Sequence, residues 1–493
     1  MHSHVPATRI FAENRAEVRP DATHVIYWMT ASRRARFNFG LQRAAEWSRH
    51  LGKPLIILEA LRAGYPWANA RFHRFVLDGM AANDSSFDGD GALYYPYVEP
   101  EHGAGRGLLS TLATDAAVVV TDRFPTYFLP RMVAAAAQRI PILLESVDSN
   151  GLIPFGATAS EFATAYSFRR WIQKNLSSHL AGIPLENPLE EPLPPAHAVP
   201  ETVAERWPRA PRSLLEADSG ALSALPIDHS IGAAAIRGGE PEARRRLISF
   251  IEQTLNDYSE QRNRPDDGTG SGLSPYLHFG HLSAHEAFLE IMRHERWSAD
   301  DVVEPHNGRR AGWWGVGESA EAFLDQLVTW RELGYHFCHH REDHEQWRSL
   351  PEWARATLEL HARDPREHLY SLDEFASAAT HDDLWNAAQT QLVREGAVHN
   401  YLRMLWGKKI LEWTEHPREA LDVMIELNNR YALDGRDPNS VTGIFWVLGR
   451  HDRPWGPERP VFGKVRYMSS ANTARKLPVK AYLQRYATQG GTA

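Results

Sequence analysis

Cysteine is almost missing from this chain: Cys338 is the single one in 493 residues. One thiol excludes an intrachain disulfide and any cysteine-based zinc or iron–sulfur site. Long apolar runs are missing as well. No stretch approaches the roughly 18 uninterrupted apolar residues that cross a bilayer, and no N-terminal apolar segment with a cleavage site is present. The expectation is an intracellular, soluble chain with no membrane partner. Positive charge is not in excess either, since 54 Lys and Arg face 62 Asp and Glu for a net charge of −8. Any nucleic-acid binding must therefore use a local patch. There is no GxGxxG turn after the first expected strand, so a nicotinamide-dinucleotide site of the usual kind is not supported. Tryptophan and histidine, in contrast, are plentiful, at 16 and 24 residues. That density suits stacking surfaces or electron transfer.

The first 150 residues alternate short apolar runs with amphipathic segments. Residues 25–29, 54–61, 92–98, 117–121 and 142–147 read as buried strands, and 38–51, 70–82, 107–113 and 125–138 as helices. This alternation predicts a parallel sheet with helices on both faces. Thr30, Ser32, Arg33 and Arg34 follow the first strand, where they could hold a ligand or cap a helix. Eight prolines from Pro184 to Pro211 read as an interdomain connector. Beyond about residue 238 the pattern is almost wholly helical, with helices expected over 240–260, 284–294, 320–336 and 382–415. The expected organisation is an α/β domain over 20–180, a linker over 181–235 and an all-helical domain over 236–488.

Three constellations carry chemistry. In 270–280, GSGLSPYLHFG, small residues with free N–H and hydroxyl donors precede a helix-starting Pro. Such a turn either caps a helix or wraps phosphate oxygens. Next, Trp385, Trp406 and Trp413 lie in the stretch 384–413, the last two seven residues apart, which is roughly 10 Å of helical rise at about 1.5 Å per residue. That row either packs a core or passes electrons to a buried redox cofactor. His399, Arg403, Trp406, Ile410 and Trp413 fall on one helical stripe. An Arg on such a stripe needs a carboxylate partner, for which Asp434 and Asp437 are available, or an anionic ligand. Third, Trp446 and Trp455 precede Lys464, Arg466, Arg475, Lys476 and Lys480. Cations interleaved with aromatics suit phosphate neutralisation with base stacking, or form a solvated tail.

These residues also carry a family resemblance. The segment 270–280, with Tyr258 twelve residues upstream, resembles the flavin-binding signature of the photolyase/cryptochrome superfamily. The runs 350–413, LDGRDPN (433–439) and ERPVFGKVRYM (458–468) are similar to the class II cyclobutane pyrimidine dimer photolyases. The resemblance implies a folded-back FAD in the helical domain, active in its reduced anionic form. Tyr258, Ser271, Gly272, Leu273 and Ser274 would meet its ribityl and phosphate region. Arg403, paired with Asp434, would lie beside the isoalloxazine ring and Asp437 near its polar edge, with Asn428 or Asn439 near N5. Trp406, Trp385 and Trp413 match the electron-transfer tryptophans, and Trp330, Met404, Trp446, Trp455 and Arg466 match positions that line the lesion pocket or fill the gap it leaves.

The implied partner is UV-damaged double-stranded DNA, gripped by Lys464, Arg466, Arg475 and Lys476, and the implied state is a monomer. It would work in the cytoplasm of a bacterium or the nucleus of a eukaryote. The implied reaction is light-driven splitting of a flipped-out pyrimidine dimer, and the α/β domain would hold an antenna pigment of deazaflavin type. Two departures from the family stand out. Gln326 replaces a Glu that contacts the dimer; it can donate and accept hydrogen bonds but supplies neither a proton nor a negative charge. Pro457 is an extra residue in the segment around Trp455. Gln326 favours the alternative of a cryptochrome-like blue-light receptor without repair.

Overall fold

In a computed structural model of the chain, residues 3–89, 91–216, 219–266, 270–304 and 306–487 are described. The expected domain end at 488 lies outside them. The chain divides into two compact units. The first comprises Met1–Ala159, Lys174–Ser249 and Gly272–Ala299, and the second Ser160–Gln173, Phe250–Ser271 and Asp300–Ala493.

The first unit is built on a six-stranded sheet of β1 (Ile10–Ala12), β2 (His24–Met29), β3 (Leu55–Leu61), β4 (Leu93–Val98), β5 (Ala116–Asp122) and β6 (Leu144–Val147), in the order β1-β6-β5-β2-β3-β4. All pairs are parallel except β1 with β6. The short antiparallel edge strand β1 is too brief to show a period in the sequence. β2 and β5 are buried along their whole length, which is why they read as continuous apolar runs and not as alternating ones. Successive side chains still part to opposite faces. Ile26, Trp28, Ile56, Leu58 and Val119 pack on one side, and Val25, Tyr27, Leu55, Ile57, Val118 and Val120 on the other, against Phe39, Leu41 and Ala44 of the helix Phe39–Leu51. The helix expected from 125 begins only at Leu129, because Tyr127 adopts a left-handed φ of 65°.

The proline-rich stretch is not a free connector. Short helices at Glu201–Arg206 and Arg212–Leu215 interrupt it, and Val203 and Trp207 join the sheet core while Leu214 and Leu215 pack against Leu61, Leu77 and Val98. Trp207 donates its indole N–H to the Ala104 carbonyl at 2.9 Å. The Ala210 N–H donates to the carbonyl of Pro96, covering the free edge of β4. Proline forbids regular pairing here, but the large apolar residues between the prolines are worth about 1.5–3 kcal/mol each when buried, and that sets where the segment lies.

The second unit is helical. Two of the expected long helices are broken. The one expected over 240–260 ends at Gln253 and resumes as Tyr258–Gln261. The one expected over 382–415 becomes Asp383–Glu395 and Asn400–Trp413, parted at Gly396, whose φ of 71° ends the first in a left-handed cap. The helix expected over 320–336 is Glu318–Leu324 and Arg331–His340 joined by a π-helical stretch, Asp325–Trp330. Among the described residues, no helix is long and apolar enough to cross a membrane.

Candidate functional site

The break at Gly396 sets up the centre of the second unit. The Gly396 carbonyl, no longer spent within a helix, accepts the N–H of Leu433 at 2.8 Å, one residue before Asp434. His399 becomes the N-cap of the next helix and leaves the stripe on which its spacing had put it. Its burial lowers its pKa to about 4, so it is neutral and adds no charge beside Arg403. Arg403 is half-buried and one of its terminal nitrogens donates to both oxygens of Asp434, at 2.9 and 3.2 Å. Among the described residues its other guanidinium N–H groups have no hydrogen-bond partner, so the fork is left open to a further acceptor. Asp437 does not share the pairing. It caps the helix Pro438–Val447 through the Asn439 N–H and accepts from the Tyr335 hydroxyl at 2.8 Å. Burial pushes that hydroxyl well above its ordinary range. Asn428 is buried and donates to Ser440 Oγ at 2.7 Å and to Asn429, whereas Asn439 is exposed.

Trp406, Trp385 and Trp413 are all buried. Trp385 donates its indole N–H to the Trp406 carbonyl at 3.0 Å, and its ring centre lies 6.0 Å from that of Trp413. Trp406 donates to Gln389, which the sequence reading missed. Two of the indoles are thus held by hydrogen bonds, and Trp385 and Trp413 are in ring contact.

Gln326 and Trp330 share the π-helical stretch. Widened turns of this kind occur mostly at functional positions. Trp330 donates to Asp325, which also takes two bonds from Arg169, and its ring packs at a tilt against Trp446 with centres 5.5 Å apart. Both rings and Met404 are half-buried. Asp325 was also missed, though it stands next to Gln326 in the sequence. Trp455 is exposed, flanked by the guanidinium groups of Arg453 and Arg466 at 4.7 and 5.2 Å from its ring centre. It lines a groove of about 680 Å³ with Trp353, Leu360 and Lys464. Lys464 pairs with Glu458, and Arg475 and Lys476 are exposed in the last turn of the helix Ser470–Lys476.

Tyr258 and Ser271 belong to the second unit; Gly272, Leu273 and Ser274 belong to the first. Tyr258 is buried between Phe250 and Phe323. Gly272 has a φ of 66°, and a Cβ there would lie 2.5 Å from the Arg246 guanidinium. Arg246 is a cation beside the loop that the sequence reading did not single out, because it sits a helix away.

In the α/β unit, three consecutive N–H groups after β2, those of Thr30, Ala31 and Ser32, converge on Asp122 Oδ2 at 2.8, 2.8 and 2.9 Å. The Tyr27 hydroxyl donates to the other oxygen at 2.6 Å. This is the switch point where the strand order turns from β2 to β5, the usual seat of a phosphate in an open parallel sheet. Here the chain's own carboxylate fills it. Arg33 pairs with Glu59, and Arg34 donates to backbone carbonyls.

No family model matches the chain. Two solved structures share its fold: a class III photolyase from Agrobacterium tumefaciens (TM-score 0.67, 18% identity, 94% of this chain and 86% of that one) and a cryptochrome from Synechocystis (TM-score 0.65, 15% identity, 94% and 88%). The overall fold is thus the one these two proteins share. Among curated proteins, the deoxyribodipyrimidine photo-lyase of Methanothermobacter thermautotrophicus is 35% identical over 482 residues, 98% of each chain. Those of Arabidopsis thaliana and Potorous tridactylus are each 31% identical over 93% of this chain, and cover 88% and 80% of the relatives. The chain belongs to the deoxyribodipyrimidine photo-lyase family.

Proposed function

We propose that this is a class II enzyme that repairs cyclobutane pyrimidine dimers in DNA with light, using FAD in the helical unit. The observation that carries the reading is one helix on which Arg403, paired with Asp434, is followed about one turn on by buried Trp406 and about three turns on by buried Trp413, with Trp385 of the preceding helix touching both. A binding module has no use for that order; a light-driven flavoprotein does. When bound, FAD in its reduced anionic form would supply the light-driven one-electron chemistry that splits the dimer.

The protein's own part is positioning and electrostatics. Arg403 attracts the anionic form of the ring, and Asp434 holds the guanidinium in place. Asp437, with Asn428 or Asn439, would bind the ring, and Tyr258 with Ser271 the ribityl and phosphate region. Extruding the dimer costs a few kcal/mol, less for a damaged, poorly stacked pair. Trp330 and Trp446 offer stacking faces for it beside Met404, and Trp455 fills the gap it leaves. Lys464, Arg466, Arg475 and Lys476 grip the phosphates. Trp406, Trp385 and Trp413 would pass electrons towards the flavin when it is oxidised, a role that serves the cofactor and not the DNA. For a deazaflavin-type antenna the support lies after β3 and β5, where Tyr65 stacks on Phe128 (5.6 Å) and Trp67 on Tyr127 (6.0 Å).

The test is incubation of reduced protein with a dimer-containing oligonucleotide under blue light. Absorbance near the pyrimidine maximum should recover. If it stays flat while flavin is present and reduced, the repair reading fails and the second reading, a cryptochrome-like receptor, gains. Gln326 in the π-helical stretch is what favours that second reading.

A further inference from the structure

The loop 307–315, NGRRAGWWG, borders the π-helical stretch that carries Gln326 and Trp330. It is clamped at both ends. The Gln173 side chain accepts the Gly308 N–H at 2.8 Å and donates to the Arg309 carbonyl at 2.9 Å. Gly308 has a φ of 86°, and a Cβ there would lie 2.8 Å from the ring of exposed Tyr166. At the far end the Glu321 carboxylate gathers the N–H groups of Gly312, Trp313 and Trp314, at 2.6, 2.9 and 3.3 Å. Trp313 and Trp314 are buried, whereas Arg310, between the two clamps, is exposed.

Charge beside this loop does not cancel. Asp325 Oδ1 accepts two N–H groups from buried Arg169, at 3.1 and 2.9 Å, and Oδ2 accepts the Trp330 indole N–H at 3.1 Å. The Arg310 guanidinium stands 3.9 Å from Oδ2, too far for a hydrogen bond. Among the described residues it has no hydrogen-bond partner. Two guanidinium groups therefore face one carboxylate, and neighbouring Gln326 adds no negative charge. One positive charge is left over, on a planar fork of donors that matches a phosphate. The backbone under it is already fixed, so a ligand need not order the loop.

We infer that Arg310 is a lesion-dependent phosphate contact, taking a phosphodiester of the damaged strand next to the extruded dimer. This rests on the repair reading, which puts the dimer against Trp330. Extrusion turns a nucleotide about its backbone and carries its flanking phosphates towards the pocket. Asp325, bonded to Trp330 and facing Arg310, sets the guanidinium at that place. In an undamaged duplex the bases stay stacked, and no phosphate is brought there. Arg310 thus helps to choose damaged DNA over the rest.

Binding titrations in the dark test this, with full-length, flavin-loaded protein and one duplex with and without the dimer, from 50 to 200 mM salt. On the damaged duplex, Arg310→Ala should flatten the slope of log affinity against log salt by about 0.9, which is about fivefold in affinity at 0.15 M. On the undamaged duplex the two proteins should bind alike. Arg310→Lys keeps the charge but not the fork, so it should restore the slope and only part of the affinity. Equal losses on both duplexes, or none on either, overturn the inference while leaving repair intact. So does a lower repair yield per photon at saturating DNA with affinity kept, since that would put Arg310 on the dimer and not on the backbone. Native protein that shows no preference for the damaged duplex overturns the repair reading and this inference together.

Discussion

Side chain by side chain, the centre of the helical unit depends on which of two neighbouring carboxylates takes Arg403. The sequence offers Asp434 and Asp437; the structure gives Arg403 to Asp434 and makes Asp437 a helix cap held by Tyr335. Their division of labour follows from the turn, since a carboxylate just before Pro438 meets the free N–H groups of a helix start. At Gln326 the sequence reading expects a Glu; a Gln there keeps the hydrogen-bonding shape without the charge. Gln326→Glu should raise the repair yield per absorbed photon, measured on a dimer-containing oligonucleotide; an unchanged yield would mean that the position does not touch the dimer. Trp406→Phe should slow photoreduction of oxidised flavin and leave repair by chemically pre-reduced protein largely intact. If both are lost together, the indoles serve packing and not electron flow. The residue types were legible in the sequence. Gln389, Asp325 and Arg246 were not, because each meets its partner through the fold or in a widened turn that no periodicity announces.

At the level of elements, the sequence showed helices where the apolar period ran on and missed the places where a single residue ends them. Gly396 carries no side chain to mark the stop, yet its left-handed φ splits a 34-residue expectation into two helices. Gly407 has the opposite role, letting its helix approach its neighbours. A Cβ there would meet Val447 Cγ2 at 2.6 Å and Met424 Sδ at 3.1 Å. Gly407→Ala gains up to about 1 kcal/mol of helix propensity but overpacks the contact at about 1–3 kcal/mol. Net destabilisation of about 1 kcal/mol should appear as a lower denaturant midpoint. The next residue, Lys408, is buried against the Val447 carbonyl, and burial takes its pKa from 10.5 to about 7. Between those values the unfolded chain binds a proton that the folded chain does not, so this group's share of stability rises with pH from about 7 to 10. Thermal melts across that range should show the native chain gaining on Lys408→Met; a constant difference would mean that Lys408 titrates normally.

For the molecule as a whole, a net charge of −8 and a DNA substrate are compatible only if the cations in contact with phosphate are few and local. Four of those proposed above, Lys464, Arg466, Arg475 and Lys476, would correspond to a slope of about −3.6 in log affinity against log salt. Replacing Arg475 and Lys476 together by Ala should reduce that slope by about 1.8; no change would remove them from the interface. The strand–helix alternation made the sheet legible at this scale. The proline count made 181–235 look like a tether because composition reports what a segment cannot form, not what its Trp207 and Leu214 can bury.

The carboxylate of Asp122 has a consequence for the whole α/β unit. Tethered in the cradle of Thr30, Ala31 and Ser32, it competes intramolecularly with any free anion for those three N–H groups. Nucleotides are thereby turned away from the very crevice that an open parallel sheet offers them.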